Sequence, residues 1–181
     1  MLAEYLGVAG FIAVEALVRE GESARSLEGS RDDHGTNYLI GATYASLALA
    51  PRLFRGLPMR PLPRAAAPIG LLIEVTGLGV RAWSMRTLRA SYSRTLKTEP
   101  DQKVIEAGPY GLIRHPGYLG SLMTWTGFAL TTRNMPVVGG LAALFAVYRY
   151  RILAEEEMLA RDLTGYAEYA LRTKRLVPFV W

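Results

Sequence analysis

Hydrophobic and polar positions are segregated along this chain rather than mixed. Long apolar stretches alternate with short charged patches, the pattern of a chain that meets a bilayer several times. Five stretches are predicted to be membrane helices. The first covers about 2–19 and ends at Arg19-Glu20-Gly21. It has no basic residues before it and carries Glu4 and Glu15, so it reads as a membrane helix rather than a signal peptide. Residues 20–37 form a polar loop, and a second helix runs over about 38–54. Pro58, Pro61 and Pro63 keep the segment Arg55–Arg64 from being helical throughout. A third helix follows at about 66–90 and contains Glu74 and Arg81. Residues 91–116 are the longest polar connection; within 91–107, short β-favouring runs around Glu99-Pro100-Asp101-Gln102 predict a small hairpin. The fourth helix covers about 117–131, and Thr131-Thr132-Arg133-Asn134 is a tight connection. The fifth begins at Met135, is apolar to Tyr148, and turns polar without a breaker through Arg151 and Glu155 to about Leu163. That gradient fits a helix that starts in lipid and ends in water. Residues 164–181 read as a short amphipathic helix and a basic tail. The fold class expected is an all-α integral membrane protein of one domain, 1–181, with N-terminal helices over 1–65 and a catalytic part over 66–181.

Composition narrows the chemistry. The chain has no cysteine, which excludes disulfides, a thiolate nucleophile and a Cys-ligated zinc. With His34 and His115 as its only histidines, a multi-His metal site is not expected either. The net charge of +5 could point to nucleic acid, but the basic residues flank apolar segments. Membrane lipids explain them better, and no nucleic-acid partner is expected. The distribution of Lys and Arg puts the loops at 20–37 and 91–116 and the C-terminus on the cytosolic side, with roughly three times the basic residues of the other side. Arg52, Arg55, Arg60 and Arg64 then lie outside, so either their loop is re-entrant or one of the first three helices is differently placed.

Two constellations carry candidate chemistry, and the tail adds a third. The first is the run Gly108-Pro109-Tyr110-Gly111-Leu112-Ile113-Arg114-His115-Pro116-Gly117-Tyr118-Leu119-Gly120. Pro116 suits the first turn of a helix, whose free amides favour an anion. Arg114 adds a forked cationic donor and His115 a directional one. Gly108, Gly117 and Gly120 leave room for a ligand against the backbone. Taken singly, the Arg-His pair with Tyr110 and Tyr118 also reads as an interfacial anchor. In the second, Arg151 and Glu155 are four apart and share a helix face, with Glu156 about a quarter turn away; a plain surface ion pair would look the same. The third is Tyr166, Tyr169, Arg175 and Pro178, which by themselves suit a membrane interface.

Together these runs resemble the isoprenylcysteine carboxyl methyltransferase family, within a wider group that includes phospholipid N-methyltransferases. The resemblance rests on Gly-Pro-Tyr, then Arg114-His115-Pro116-x-Tyr118-x-Gly120, then Arg151-x-x-x-Glu155-Glu156-x-x-Leu159, Tyr166-x-x-Tyr169 and Arg175-x-x-Pro178, and it covers about 91–181. Thr164-Gly165 stands where the family often has Phe-Gly. The resemblance implies a multi-helix membrane enzyme that binds S-adenosylmethionine at the cytosolic end of its last helices. It implies a cofactor shell drawn from Lys103, Val104, Gly108, Tyr110, Arg114, His115, Pro116, Tyr118, Glu156, Tyr166, Tyr169 and Arg175. Arg151 and Glu155 would serve the acceptor, Arg151 gripping its carboxylate and Glu155 tempering Arg151. The tail from Tyr166 to Pro178 would close over the cofactor. A lipophilic substrate would enter from the bilayer, in what the Ala- and Arg-rich composition suggests is a bacterial cytoplasmic membrane. Three other readings stand beside this one. A lipid amine N-methyltransferase would need a deprotonated amine and a carboxylate-lined acceptor site. An NADPH-dependent membrane reductase would bind a different cofactor, and a non-enzymatic membrane scaffold would bind neither.

Overall fold

The computed structural model describes residues 5–17, 35–88 and 103–177. These form six α-helices: α1 Leu6–Leu17, α2 Thr36–Leu53, α3 Ala66–Leu88, α4 Pro116–Thr132, α5 Met135–Asp162 and α6 Tyr166–Arg172. A single 3-10 turn, Gly108–Gly111, precedes α4. The five predicted membrane stretches all become helices. Of these, α3 and α5 are long and apolar enough to cross a membrane. A span needs about 20 residues at 1.5 Å each, and the 12 described residues of α1 and the 17 of α4 fall short of that. The 28 residues of α5 extend about 42 Å, longer than the roughly 30 Å hydrocarbon core of a bilayer. Most of the expected hairpin, 91–102 of 91–107, lies outside the described residues, and 103–107 hold no strand.

Helix boundaries follow local chemistry. Asn134 caps α5 by accepting from the Val137 amide at 3.2 Å, with Pro136 in the first turn. Arg133 ends α4 in the left-handed region, φ 54°. Pro51 lies near the end of α2, which stops two residues later.

The helices alternate in direction. The Tyr5 hydroxyl of α1's approach donates to Ala48 O at 3.0 Å, and Phe11 meets Tyr44 edge-on at 5.2 Å, so α1 and α2 are antiparallel. Gly7 faces Glu74 and Glu15 pairs with Arg81, so α1 and α3 are parallel. One end of the bundle thus gathers the start of α2, the ends of α1, α3 and α5, and the start of α4.

The tightest contact is the α3–α4 hairpin, made by glycines seven apart on each helix. Gly77 lies against Gly120 and Gly70 against Gly127. A Cβ on Gly77 would stand 2.5 Å from Thr124 N and 2.7 Å from Gly120 O; one on Gly127 would stand 2.5 Å from Gly70 O. Lipid offers no hydrophobic drive for apolar helices to associate, so close backbone approach over small residues takes its place. Between α1, α2, α4 and α5 the interior is filled by rings. Tyr44 stacks on Trp125 at 5.1 Å, Trp125 meets Phe128 at 5.7 Å, and Phe128 meets Tyr5 at 5.5 Å. Leu47, Val137 and Leu144 pack around them.

Candidate active site

The segment before α4 and the tail after α6 are stitched together by backbone. Arg114 N donates to Lys174 O at 2.8 Å and His115 N to Arg175 O at 3.0 Å, a short parallel bridge centred on Ile113 and Lys174. The Tyr169 hydroxyl donates to Tyr110 O at 2.7 Å. Arg114, His115 and Arg175 are thereby delivered to the polar end of α5.

Glu156 is the hub of what they form. Its Oε1 accepts from Arg114 Nε at 2.7 Å and lies 3.2 Å from His115 Nε2; its Oε2 accepts from Arg175 Nε at 2.7 Å. Arg114 Nη1 reaches further into the tail, donating to Ala170 O at 2.8 Å and to Thr173 O. A carboxylate this sheltered is tolerable only when its charge is met by donors. The cluster therefore joins three distant segments, and Arg114 spends its donors on holding the tail.

A second chain of contacts lies beside the first. Arg151 Nε donates to the Tyr118 hydroxyl at 3.2 Å, and that hydroxyl donates to Glu155 Oε2 at 2.8 Å. His115 Nδ1 stands 4.0 Å from the same oxygen. The pairing expected of Arg151 and Glu155 from their spacing is thus linked through Tyr118. Arg151 Nη1 also donates to the Thr36 hydroxyl, and both residues are buried, at 2% and 0% exposure. Thr36 fell in the segment read as a loop, and nothing in its neighbours singles it out. A third group, Arg81, donates from Nε and Nη2 to Glu15 Oε1 at 2.8 and 2.6 Å and from Nη1 to Gly117 O at 3.0 Å. It fixes the first turn of α4 from beneath. Both charges were visible in the predicted helices, but their pairing across 66 residues was not.

The remaining expected shell residues divide. Tyr166 and Tyr169 are buried side by side, ring centroids 5.8 Å apart, and Val104 packs on them with Leu163. Burial, then the charges of Glu156 and Glu155, push the Tyr166 phenol well above its ordinary range. Burial pushes Tyr169 up to about 12. Among the described residues the Tyr166 hydroxyl has no hydrogen-bond partner. Pro116 opens α4 as expected, while Lys103 is exposed. The glycines need correction. The space expected for a ligand is taken by α3: a Cβ on Gly120 would lie 2.6 Å from Arg81 N, one on Gly117 3.3 Å from Arg81 Nη1, and one on Gly108 3.1 Å from Trp83 Nε1. Gly108 also has φ 56°, which suits glycine. These residues seat the motif on α3.

Comparison with known proteins gives a consistent picture. The model of the isoprenylcysteine carboxyl methyltransferase family matches residues 70–161, from α3 to the end of α5. The chain is similar to the cobalt-zinc-cadmium resistance protein CzcN of Cupriavidus metallidurans, 30% identical over 74% of this chain and 57% of that one. It is also similar to a probable protein-S-isoprenylcysteine O-methyltransferase of Oryza sativa subsp. indica, 29% identical over 87% of each chain. Protein-S-isoprenylcysteine O-methyltransferase B of Arabidopsis thaliana is 33% identical over 61% of this chain and 58% of its own. Against CzcN and the Arabidopsis protein, then, the match spans little more than half of the relative's length. Among solved structures, the eukaryotic intramembrane Ras methyltransferase ICMT shares the fold, with a TM-score of 0.64 at 20% identity over 98% of this chain and 68% of that one.

Proposed function

This chain belongs to the isoprenylcysteine carboxyl methyltransferase family, and from that membership we propose that it transfers a methyl group from S-adenosylmethionine to the carboxylate of an isoprenoid or other lipid-borne acceptor at the membrane surface. The observation that carries the reading is the placement of Arg151, buried beside the Glu156 cluster at the polar end of a helix long enough to cross the bilayer. An arginine at that depth is costly unless it has work to do.

The side chains fit the proposed methyl donor. Its amino-acid moiety is a zwitterion, which Arg175, His115 and Glu155 complement with both signs of charge. The buried Tyr166 hydroxyl, unpartnered among the described residues, offers it one more polar contact. When bound, it supplies an electrophilic methyl on a sulfonium sulfur. Glu156 keeps Arg114, His115 and the tail together around that place. A carboxylate acceptor is already ionised at neutral pH and needs no general base, so orientation is the main contribution of the protein. Arg151, steadied by Thr36 and Tyr118, would orient the acceptor carboxylate. Glu155, acting on Arg151 through Tyr118, would keep that grip from blunting the nucleophile. The basic residues of the tail and of the segment before α4 support a cytosolic site, in what we take to be a bacterial cytoplasmic membrane.

The test is transfer of labelled methyl from S-adenosylmethionine in proteoliposomes that offer a prenylated cysteine acid and an amino phospholipid together. The expected product is a methyl ester, which releases volatile methanol in base. Base-stable label in the amino lipid would replace this reading with an N-methyltransferase. NADPH consumption without methyl transfer would replace it with a reductase. Arg151→Lys keeps the charge and loses the planar fork. It is expected to lower turnover about 10–100-fold, the scale of one charge-assisted hydrogen bond, while the affinity for S-adenosylmethionine measured by calorimetry changes much less. Parallel loss of both would move Arg151 into the cofactor shell.

A further inference from the structure

The end of the bundle away from the Glu156 cluster is also built to a pattern, and nothing in a methyl-transfer site explains it. The loop between α2 and α3 and the turns around it carry Arg52, Arg55, Arg60, Arg64 and Arg133. No acidic residue occurs from His34 to Ile73, and Glu74 is buried inside the bundle. The loop does not dip back into the helices. Arg133 Nε donates to Leu62 O at 2.6 Å and Leu62 N donates to Arg133 O at 3.3 Å, which ties the loop to the α4–α5 turn at the outer edge. α2 and α3 occupy the stretches expected of them, and the arginines sit at the bundle end.

Interleaved with them are Leu53, Phe54, Leu57 and Met59, all exposed. Water would penalise four such side chains on one short stretch. Pro58, Pro61 and Pro63 keep the backbone non-helical, and irregular backbone cannot lie bare in hydrocarbon. α3 begins at Ala66, directly after the loop. The loop is therefore held at the depth where a span meets the headgroups, with apolar side chains on offer to acyl chains and the guanidinium groups of Arg60 and Arg64 on offer to anions. Guanidinium forks match phosphate oxygens two at a time.

We propose that this end of the bundle is a binding surface for anionic phospholipids of the leaflet opposite the Glu156 cluster, with Arg52, Arg60 and Arg64 meeting the phosphates and Leu53, Phe54, Leu57 and Met59 entering the acyl layer. Arg52 already holds its guanidinium over the ring of Tyr5, just before α1, at 5.1 Å, which keeps its charge at this end of the bundle. The surface answers the orientation problem as well. Arginines facing away from the cytosol cost less where anionic headgroups receive them.

The inference depends only on membrane embedding, not on the reaction. The full chain would be placed in nanodiscs of phosphatidylcholine with and without phosphatidylglycerol, and the lipids that remain bound would be counted by native mass spectrometry. Phosphatidylglycerol should be retained about tenfold over phosphatidylcholine, and should raise the melting temperature, on the scale of a few basic residues at an anionic surface. Arg60→Gln with Arg64→Gln, both in the exposed loop, should bring retention near parity with unchanged helix content by circular dichroism, and the matching pair of lysine substitutions should restore it. Parity in the unaltered chain, or an undiminished preference in the glutamine pair, would overturn the proposal. So would an equal rise in melting temperature from inorganic phosphate in phosphatidylcholine discs, because the site would then recognise a free anion rather than a lipid.

Discussion

Replacing Glu156 with glutamine should abolish methyl transfer and release the tail from the start of α4. The carboxylate receives Arg114 and Arg175 and neighbours His115, all within 3.2 Å. Glutamine keeps the shape, but it removes the charge and turns an amide N–H₂ toward groups that are themselves donors. Breaking one partner of a sheltered ion pair costs about 3–5 kcal/mol because the other charge is left stranded. Here two arginines lose their carboxylate together, and one of them carries the tail through Ala170 O and Thr173 O. The expected result is a loss of S-adenosylmethionine affinity of a hundredfold or more, on the order of 3 kcal/mol. New protease cleavage should appear after Leu163, with the melting of the membrane helices little changed. Glu155→Gln, whose carboxylate is partly open to solvent, should leave the tail protected. If Glu156→Gln binds the methyl donor normally and its tail resists protease, the cluster is not what assembles the site.

Gly77→Leu or Gly120→Leu should prevent the bundle from forming. At both positions a Cβ alone would fall within 2.8 Å of backbone on the other helix. Backbone cannot turn aside as a side chain can, so α3 and α4 would have to separate along their length. Overpacking in a core usually costs about 1–3 kcal/mol where side chains can give way, and here the cost should exceed that range. Arg81, on α3, would then lose Gly117 O, and with it the support beneath His115 and Tyr118. Gly79→Leu is the control, on the same helix with nothing within 4 Å of its Cβ. Size-exclusion profiles in mild detergent should show aggregate for Gly77→Leu and Gly120→Leu and a single peak for Gly79→Leu. Single peaks for all three would mean that the glycine seam is dispensable.

What could be read from the chain beforehand was whatever has a local signature. Apolar runs bounded by Gly, Pro and charge gave five helices within a few residues of their observed ends. The Arg-His-Pro-x-Tyr run and the Glu-Glu pair located the cluster around Glu156. What escaped depends on contacts between distant segments. Thr36 is an unremarkable helix start until α2 brings it to Arg151, 115 residues away. Glu15 and Arg81 are ordinary charges until α1 lies parallel to α3. The glycines of the motif were misread for the same reason. A missing side chain shows that something comes close, but not whether it is a ligand or another helix. The spacing of seven shared by Gly70 and Gly77 and by Gly120 and Gly127 was available in the sequence. It was the one clue to the α3–α4 seam.

The rings inside the bundle have a consequence for which acceptors can be used. From Tyr118 through Tyr148 and Tyr44 to Trp125 and Phe128, aromatic side chains occupy the space between α1, α2, α4 and α5. In the proposed reaction, a long hydrocarbon tail would be kept out of the described interior by these rings and would stay dissolved in the surrounding bilayer while its head reacts. The protein would then have no ruler for tail length. Selection among tails passes to the membrane, through how strongly each partitions into it and how fast it diffuses there. Homologous acceptors that differ only by isoprene units should compete according to their concentration in the lipid phase.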